Sequence, residues 1–235
     1  KEHYIEKYYQ YWQRLIPDSY KPKFYNENIY PDIKSYPCKD VFRGVLEKKM
    51  KNKIMPEEYV NHSLYFEAKT FLHGILVVED KLSMAHSLET RVPFLDNDLV
   101  DFAMKVPVKH KLKNLSEVIR INENIPGPKT ERFFAQNSDG KNILRKALSK
   151  YVPESYTSGL KQGFSAPDAS WFKGESNDYI KSILFNKRAR IYDFIQPAMA
   201  QELMNEHFNG KTNRRLLIWS LLCFEWWSKI FDPVE

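Results

Sequence analysis

At 235 residues, with 43% apolar and 28% charged residues, the chain is long enough for one large domain or two small ones with a real core, which sets it apart from disordered or fibrous proteins. The net charge of +6 is mild and no basic run reaches five residues, so nucleic acid is not an expected partner. Lys1 to Leu15 is charged and aromatic throughout and the longest apolar run, Leu216 to Trp227, already holds Glu225, so neither a secretory signal nor a membrane span is expected.

Tyr4, Ile5, Tyr8, Trp12 and Leu15 recur at helical spacing over residues 2–15. Four prolines make 16–37 a loop-rich connection. A second helix is expected over 39–51, with Val41, Phe42, Val45 and Leu46 as its stripe. The clearest long helical zone is 56–87, where Leu64, Ala68, Phe71, Leu72, Ile75, Leu76 and Val78 mostly recur at three and four residues. Pro56 suits its first turn, and Gly74 inside it reads as a place of close helix packing. Arg91 to Leu95 reads as an extended turn, followed by a helix from Asn97 to Lys105.

The polar stretch 113–140 reads as an excursion with a short hairpin over 117–122 and 131–135. Helix returns over 141–151 and Pro153 ends it; 157–167 carries two Gly, two Ser and a Pro, which is loop chemistry. Two or three helices are expected over 175–208, and a last one over 212–231, apolar nearly all round and so buried on most sides. About nine helices with very little strand signal make the fold class mainly α. Cys38 and Cys223 fit a reducing, cytoplasmic compartment, and Cys223 reads as a small buried side chain.

No Gly-rich phosphate loop is present: the chain has neither G-x-x-x-x-G-K-[ST], G-x-G-x-x-G nor S-G-G-x-D-S, and the six His are dispersed, so no metal ligands are assigned. Two segments concentrate chemistry. In the first, Ser83 to Asp96, Glu89 and Arg91 lie two apart and share a face if extended, while Asp96 stands where an N-cap belongs. By residue chemistry alone, Asp96 reads as a cap and Glu89–Arg91 as a structural ion pair. In the second, Thr157 to Ser165, Lys161 has a Gly two residues away on either side. Such a lysine can fold over a phosphate and neutralise developing charge, although most lysines are merely solvated.

The run SLETRVPFLDNDLVDFA, followed by ILRKALSKYVPESY and then LKQGFSAP, resembles the two signatures of the synthetase domain of glutamine-hydrolysing asparagine synthetases and their relatives. The likeness is best over 64–175. It implies that 1–235 is the C-terminal helical part of an α/β, PP-loop type adenine-nucleotide-binding domain. It also implies an ATP-dependent carbon–nitrogen ligase with glutamine as amido donor. The carboxylate of aspartate attacks the α-phosphate of Mg-ATP, pyrophosphate leaves, and glutamine-derived ammonia displaces AMP from the acyl-adenylate. Lys161 looks like the family's mobile lysine and Asp96 like an acidic residue of the synthetase site. Glu89 and Arg91 belong to the same signature, in a substrate-binding or supporting role.

The family's S-G-G-x-D-S loop, its G-[ED]-G-x-D-E-L-F-x-G-Y motif and its glutaminase domain are not in these 235 residues. They are expected before Lys1. The chain should therefore hold no ATP or Mg2+ tightly and should be inactive alone, as one wall of a synthetase site. Exposed apolar surface is expected where the PP-loop core would pack, and that surface can bring two copies together as a homodimer. Two other readings stay open: a relative acting on another carboxylate, by amidation or lactam closure, and a non-catalytic helical scaffold.

Overall fold

The computed structural model describes residues 1–48, 50, 55–113, 140–159, 172 and 174–232. Among them the chain is helical, with one isolated antiparallel bridge between Tyr25 and Ile195 and no strand. The expected hairpin over 117–122 and 131–135 lies outside the described residues. Two compact units form: Lys1–Tyr9, Cys38–Val118 and Asp139–Gly159 make the first, and Gln10–Pro37, Ile119–Ser138 and Leu160–Glu235 the second.

α1 (Glu2–Trp12) begins the chain, its residues through Tyr9 in the first unit and its last three in the second; α2 (Lys21–Phe24) and α3 (Tyr30–Ser35) belong to the second unit, and α4 (Cys38–Glu47) returns to the first. Ile5 and Leu46 are fully buried. Tyr9 is buried as well, although the helical stripe read from the sequence had passed it over. Aromatic rings fill the centre: Phe42 sits 4.5 Å from Phe66 and takes Tyr8 and Tyr9 edge-on. Tyr4 and Tyr8 turn their hydroxyls to Ser63 and Glu67 of α5, so each ring buries its body and pairs its polar tip.

Helix α5 (Pro56–Glu67), a π-helical turn (Ala68–Leu72) and α6 (His73–Ala85) form one continuous rod. Pro56 opens it, as its lack of an N–H favours, and the Glu58 carboxylate reaches back to the Met55 N–H at 2.7 Å. In the π turn, Thr70 Oγ1 donates to the Phe66 carbonyl at 2.7 Å. The rod's expected stripe is real, but its later half is not covered: Phe71, Ile75, Val78 and Leu82, at spacings of four, three and four, are all about half exposed or more. Gly74 corrects an expectation. A Cβ there would meet nothing within 4 Å, so no close helix packing explains it among the described residues.

A 3-10 turn (Pro93–Leu95), α7 (Asn97–Lys105), α8 (Val108–Lys111), α9 (Asn142–Leu148) and α10 (Glu154–Thr157) complete the first unit. Pro153 does more than end a helix, since it stands as the residue that opens α10.

In the second unit, Pro22 and Pro31 sit in the first turns of two short helices, α2 (Lys21–Phe24) and α3 (Tyr30–Ser35), where a loop had been expected. α11 (Glu175–Leu184), a 3-10 turn (Arg190–Asp193), α12 (Pro197–Phe208) and α13 (Arg215–Phe231) surround the main core. Ile180, Leu184, Ile191, Ala200, Met204 and Ile218 anchor it. α13 is not buried on most sides. Leu217, Ile218, Leu221, Leu222, Glu225 and Ser228 face inward, while Trp219, Trp226 and Trp227 stay about half exposed. Cys223 lies on that outer side and is exposed, contrary to its sequence reading. Helix periodicity places 223 on the flank opposite 221 and 225.

Glu225 is the most unusual core residue, fully buried on an apolar helix. Its Oε2 accepts the buried N–H of Ile191 at 3.0 Å and its Oε1 lies 3.3 Å from Lys229 Nζ. One carboxylate thereby closes the open N–H end of the 3-10 turn Arg190–Asp193 from a different helix.

Candidate functional site

The first signature segment is built by the way α6 stops. Ser87 takes a left-handed backbone, φ 56°, and the Leu88 N–H reaches back to the Ser83 carbonyl at 2.9 Å while the Ser87 N–H meets the Met84 carbonyl at 3.0 Å. This paired closure usually uses glycine at the left-handed position. Serine there carries a steric cost of about 1 kcal/mol.

Beyond that stop, the chain turns through Glu89 and Arg91, whose side chains pair at 2.6 Å and are 68% and 81% exposed. A pair so exposed contributes little to stability. The 3-10 turn, begun by Pro93, delivers Asp96 to the start of α7. Asp96 Oδ1 accepts the Leu99 N–H at 3.1 Å, and the Asp96 carbonyl accepts the Val100 N–H at 2.9 Å. Asp96 is thus the N-cap of α7, exposed to solvent.

Glu89, Arg91 and Asp96 are therefore brought into one surface turn, each with a structural contact. Lys161, the other site residue read from the sequence, lies outside the described residues. Its segment leaves from a well-defined point: Thr157 ends α10 buried, and Arg145 of α9 holds the carbonyls of Thr157 and Gly159. Arg145 stands inside the ILRKALSKYVPESY signature, with no role evident from its sequence. Its signal was only a basic residue in the last turn of a helix.

Among the described residues, no three His, Cys, Asp or Glu side chains gather to hold a metal ion. The one arginine of the turn is engaged by Glu89, and the Asp96 carboxylate is engaged by backbone. These residues by themselves do not fit Mg-ATP. A groove of about 450 Å³ in the second unit, along Gln201, Glu202, Asn205 and Asn209 of α12, is polar and shares no residue with either signature. No helix of the described residues is long and apolar enough to cross a membrane.

Comparison with known proteins places these features. A family model described as asparagine synthase matches residues 1–229. The chain is 31% identical over 172 residues to asparagine synthetase [glutamine-hydrolyzing] 1 of Bacillus subtilis, covering 73% of this chain and 23% of that protein. It is 29% identical to a putative asparagine synthetase of Mycobacterium bovis, over 69% of this chain and 21% of that protein. An amidase of Penicillium rubens is 28% identical over 61% of this chain and 19% of its own length. The chain spans about a quarter of the length of the curated relatives it matches, and no solved structure matches it. With a match that runs through both signatures and all but the last few residues, the chain belongs to the asparagine synthase family.

Proposed function

We propose that this chain is the helical wall of the synthetase site in a cytoplasmic, ATP-dependent amide ligase that converts aspartate to asparagine with glutamine-derived ammonia. The observation that carries the reading is the family match across 1–229, which includes both signatures in order. In the complete protein the carboxylate is adenylated with loss of pyrophosphate and then amidated. Mg-ATP would be held mainly by a PP-loop core, and ammonia would come from a glutaminase domain. Neither motif set lies in these 235 residues, so the chain alone should make no product.

Within this reading Lys161 supplies positive charge near the transferring groups, and Asp96 combines capping with a place at the site's edge. The uncovered stripe Phe71, Ile75, Val78 and Leu82 is the surface on which the core packs. An apolar stripe of this kind, left open, otherwise favours self-association.

The test is pyrophosphate release by the complete protein over a panel of carboxylates. Release with aspartate, lost in Lys161→Ala, is the expected result. Unchanged release in that variant would overturn the role of Lys161. Preference for a different carboxylate would favour the reading suggested by the fungal relative named an amidase. Asp96→Asn separates cap from chemistry, because Asn caps as well as Asp. Normal stability with reduced release supports a site role.

A second reading, a helical scaffold without catalysis, is favoured by the fact that Glu89, Arg91 and Asp96 all make structural contacts at the surface. A disrupted S-G-G-x-D-S loop in the complete reading frame would decide for it.

A further inference from the structure

Helix α10 is only four residues long, so its last carbonyls cannot all find partners within it. The Glu154 carbonyl is heavily used, taking the Ser158 N–H and Oγ at 2.8 Å each and Thr157 Oγ1 at 3.1 Å. The carbonyls of Thr157 and Gly159 instead converge on one guanidinium nitrogen, Nη1 of Arg145, the Gly159 contact being 3.1 Å. Both contacts cross more than ten residues of chain, from α9 to the turn that leaves α10. Thr157 is buried, which fixes the inner end of that turn, while Gly159 is exposed.

The position of this clasp is what gives it meaning. The first unit ends at Gly159 and the second resumes at Leu160. Lys161 follows two residues after the clasped Gly159. Two peptide links span at most about 7 Å, so whatever holds Gly159 sets the point from which the lysine must reach. A glycine supplies no side chain to hold itself in place, and its backbone is the freest of any residue. An arginine is suited to the task, since the two N–H bonds of Nη1 are fixed in the guanidinium plane and give one nitrogen two set donor directions, where a lysine ammonium rotates freely.

We infer that Arg145 is a positioning residue for the synthetase reaction: by holding the Thr157 and Gly159 carbonyls it sets the origin of the segment that carries Lys161. This rests on the role proposed for Lys161 above. It acts through the lysine and not on substrate. Displacing a charge-bearing group by about 1 Å can cost on the order of a hundredfold in rate, while leaving binding of the remaining substrate groups largely intact.

The experiment uses the complete protein and measures pyrophosphate release with saturating ATP and aspartate. Arg145→Gln should lower kcat at least tenfold, with KM for both substrates within threefold of the starting protein, and Arg145→Lys should restore only part of the loss. In a Lys161→Arg background, which already displaces the charge, Arg145→Gln should cost less than threefold more. Equal fold losses in both backgrounds would show independent action and overturn the inference, as would an unchanged kcat in Arg145→Gln. If Arg145→Gln fails to fold, Arg145→Lys carries the same comparison. Lys161→Ala separates the two claims. Intact release there defeats the lysine's role itself. Lost release there, beside normal rates in both Arg145 variants, defeats only the clasp.

Discussion

Replacing Glu225 tests how the second unit is held together. The carboxylate is fully buried and accepts a buried backbone N–H, that of Ile191, at 3.0 Å. Glutamine keeps the shape and an acceptor oxygen but loses the charge. Hydrogen bonds to charged groups exceed neutral ones by roughly 1 kcal/mol, so Glu225→Gln should cost about that much. Lys229 adds little to this difference because its side chain is 43% exposed. Glu225→Ala removes the acceptor and leaves a void. An unpaired buried N–H costs about 1–3 kcal/mol and large-to-small changes in a core cost about 2–5, so a loss near 3 kcal/mol is expected. Among the described residues the tryptophans, at 12, 219, 226 and 227, belong to the second unit, so their fluorescence in a urea titration reads this unit. At roughly 2–4 °C per kcal/mol for a chain of this size, the Ala variant should melt about 6–12 °C lower and the Gln variant about 2–4 °C lower. A Glu225→Ala loss no greater than that of Glu225→Gln would refute the argument, because the Ile191 N–H would then not depend on the acceptor.

Three further substitutions probe the first unit. Ser87→Gly should raise stability by about 1 kcal/mol, since the left-handed backbone at φ 56° suits glycine; a loss in a chemical melt followed by circular dichroism would contradict it. Gly74→Ala should also stabilise this chain by about 1 kcal/mol, because the added methyl meets nothing. The same change should weaken the complete protein if the core packs closely there, and equal gains in both would argue against that packing. Burial holds the His62 imidazolium below its ordinary pKa of 6.5, against the opposing pull of Glu58. The folded state therefore favours neutral His62, and the unfolded chain takes up the proton first as pH falls. Its contribution is fully present above pH 6.5 and is lost as pH drops through the lower folded value. Urea midpoints measured across this range should flatten in His62→Gln, and an unchanged pH slope would count against the assignment.

The elements legible in the sequence are those whose signals are local. α7 has the bounds expected from its cap and stripe, Asn97 to Lys105, because Asp96 bonds a backbone three residues away and needs no tertiary partner. The Glu89–Arg91 pair was readable for the same reason. Helices of four to six residues, such as α2, α3 and α10, are too short to show periodicity, and their prolines were read as breaks when they are starts. α13 failed differently. An apolar composition all round a helix says that burial is favourable on every side, yet the flank of Leu217, Ile218, Leu221, Leu222, Glu225 and Ser228 is buried while Trp219, Trp226 and Trp227 stay about half exposed. The Arg145 clasp was not legible at all, since it joins a side chain to two carbonyls, and carbonyls carry no residue-specific mark.

The π turn at Ala68–Leu72 sets a phase. Each residue added to or removed from a helix rotates everything after it by about 100°. On one side of the turn lies Phe66, directed into the aromatic centre of the first unit, and on the other the open stripe of Ile75, Val78 and Leu82. Deleting a single residue from the turn would leave a rod of nearly the same length, with the same composition and the same two stripes. Because an i→i+5 turn holds one residue more than an i→i+4 turn for about the same rotation, the shortened turn closes as ordinary α-helix with the second stripe near its present bearing. A residue deleted from α6 beyond the turn would instead swing everything after it by about 100° and aim the apolar edge at the wrong neighbour.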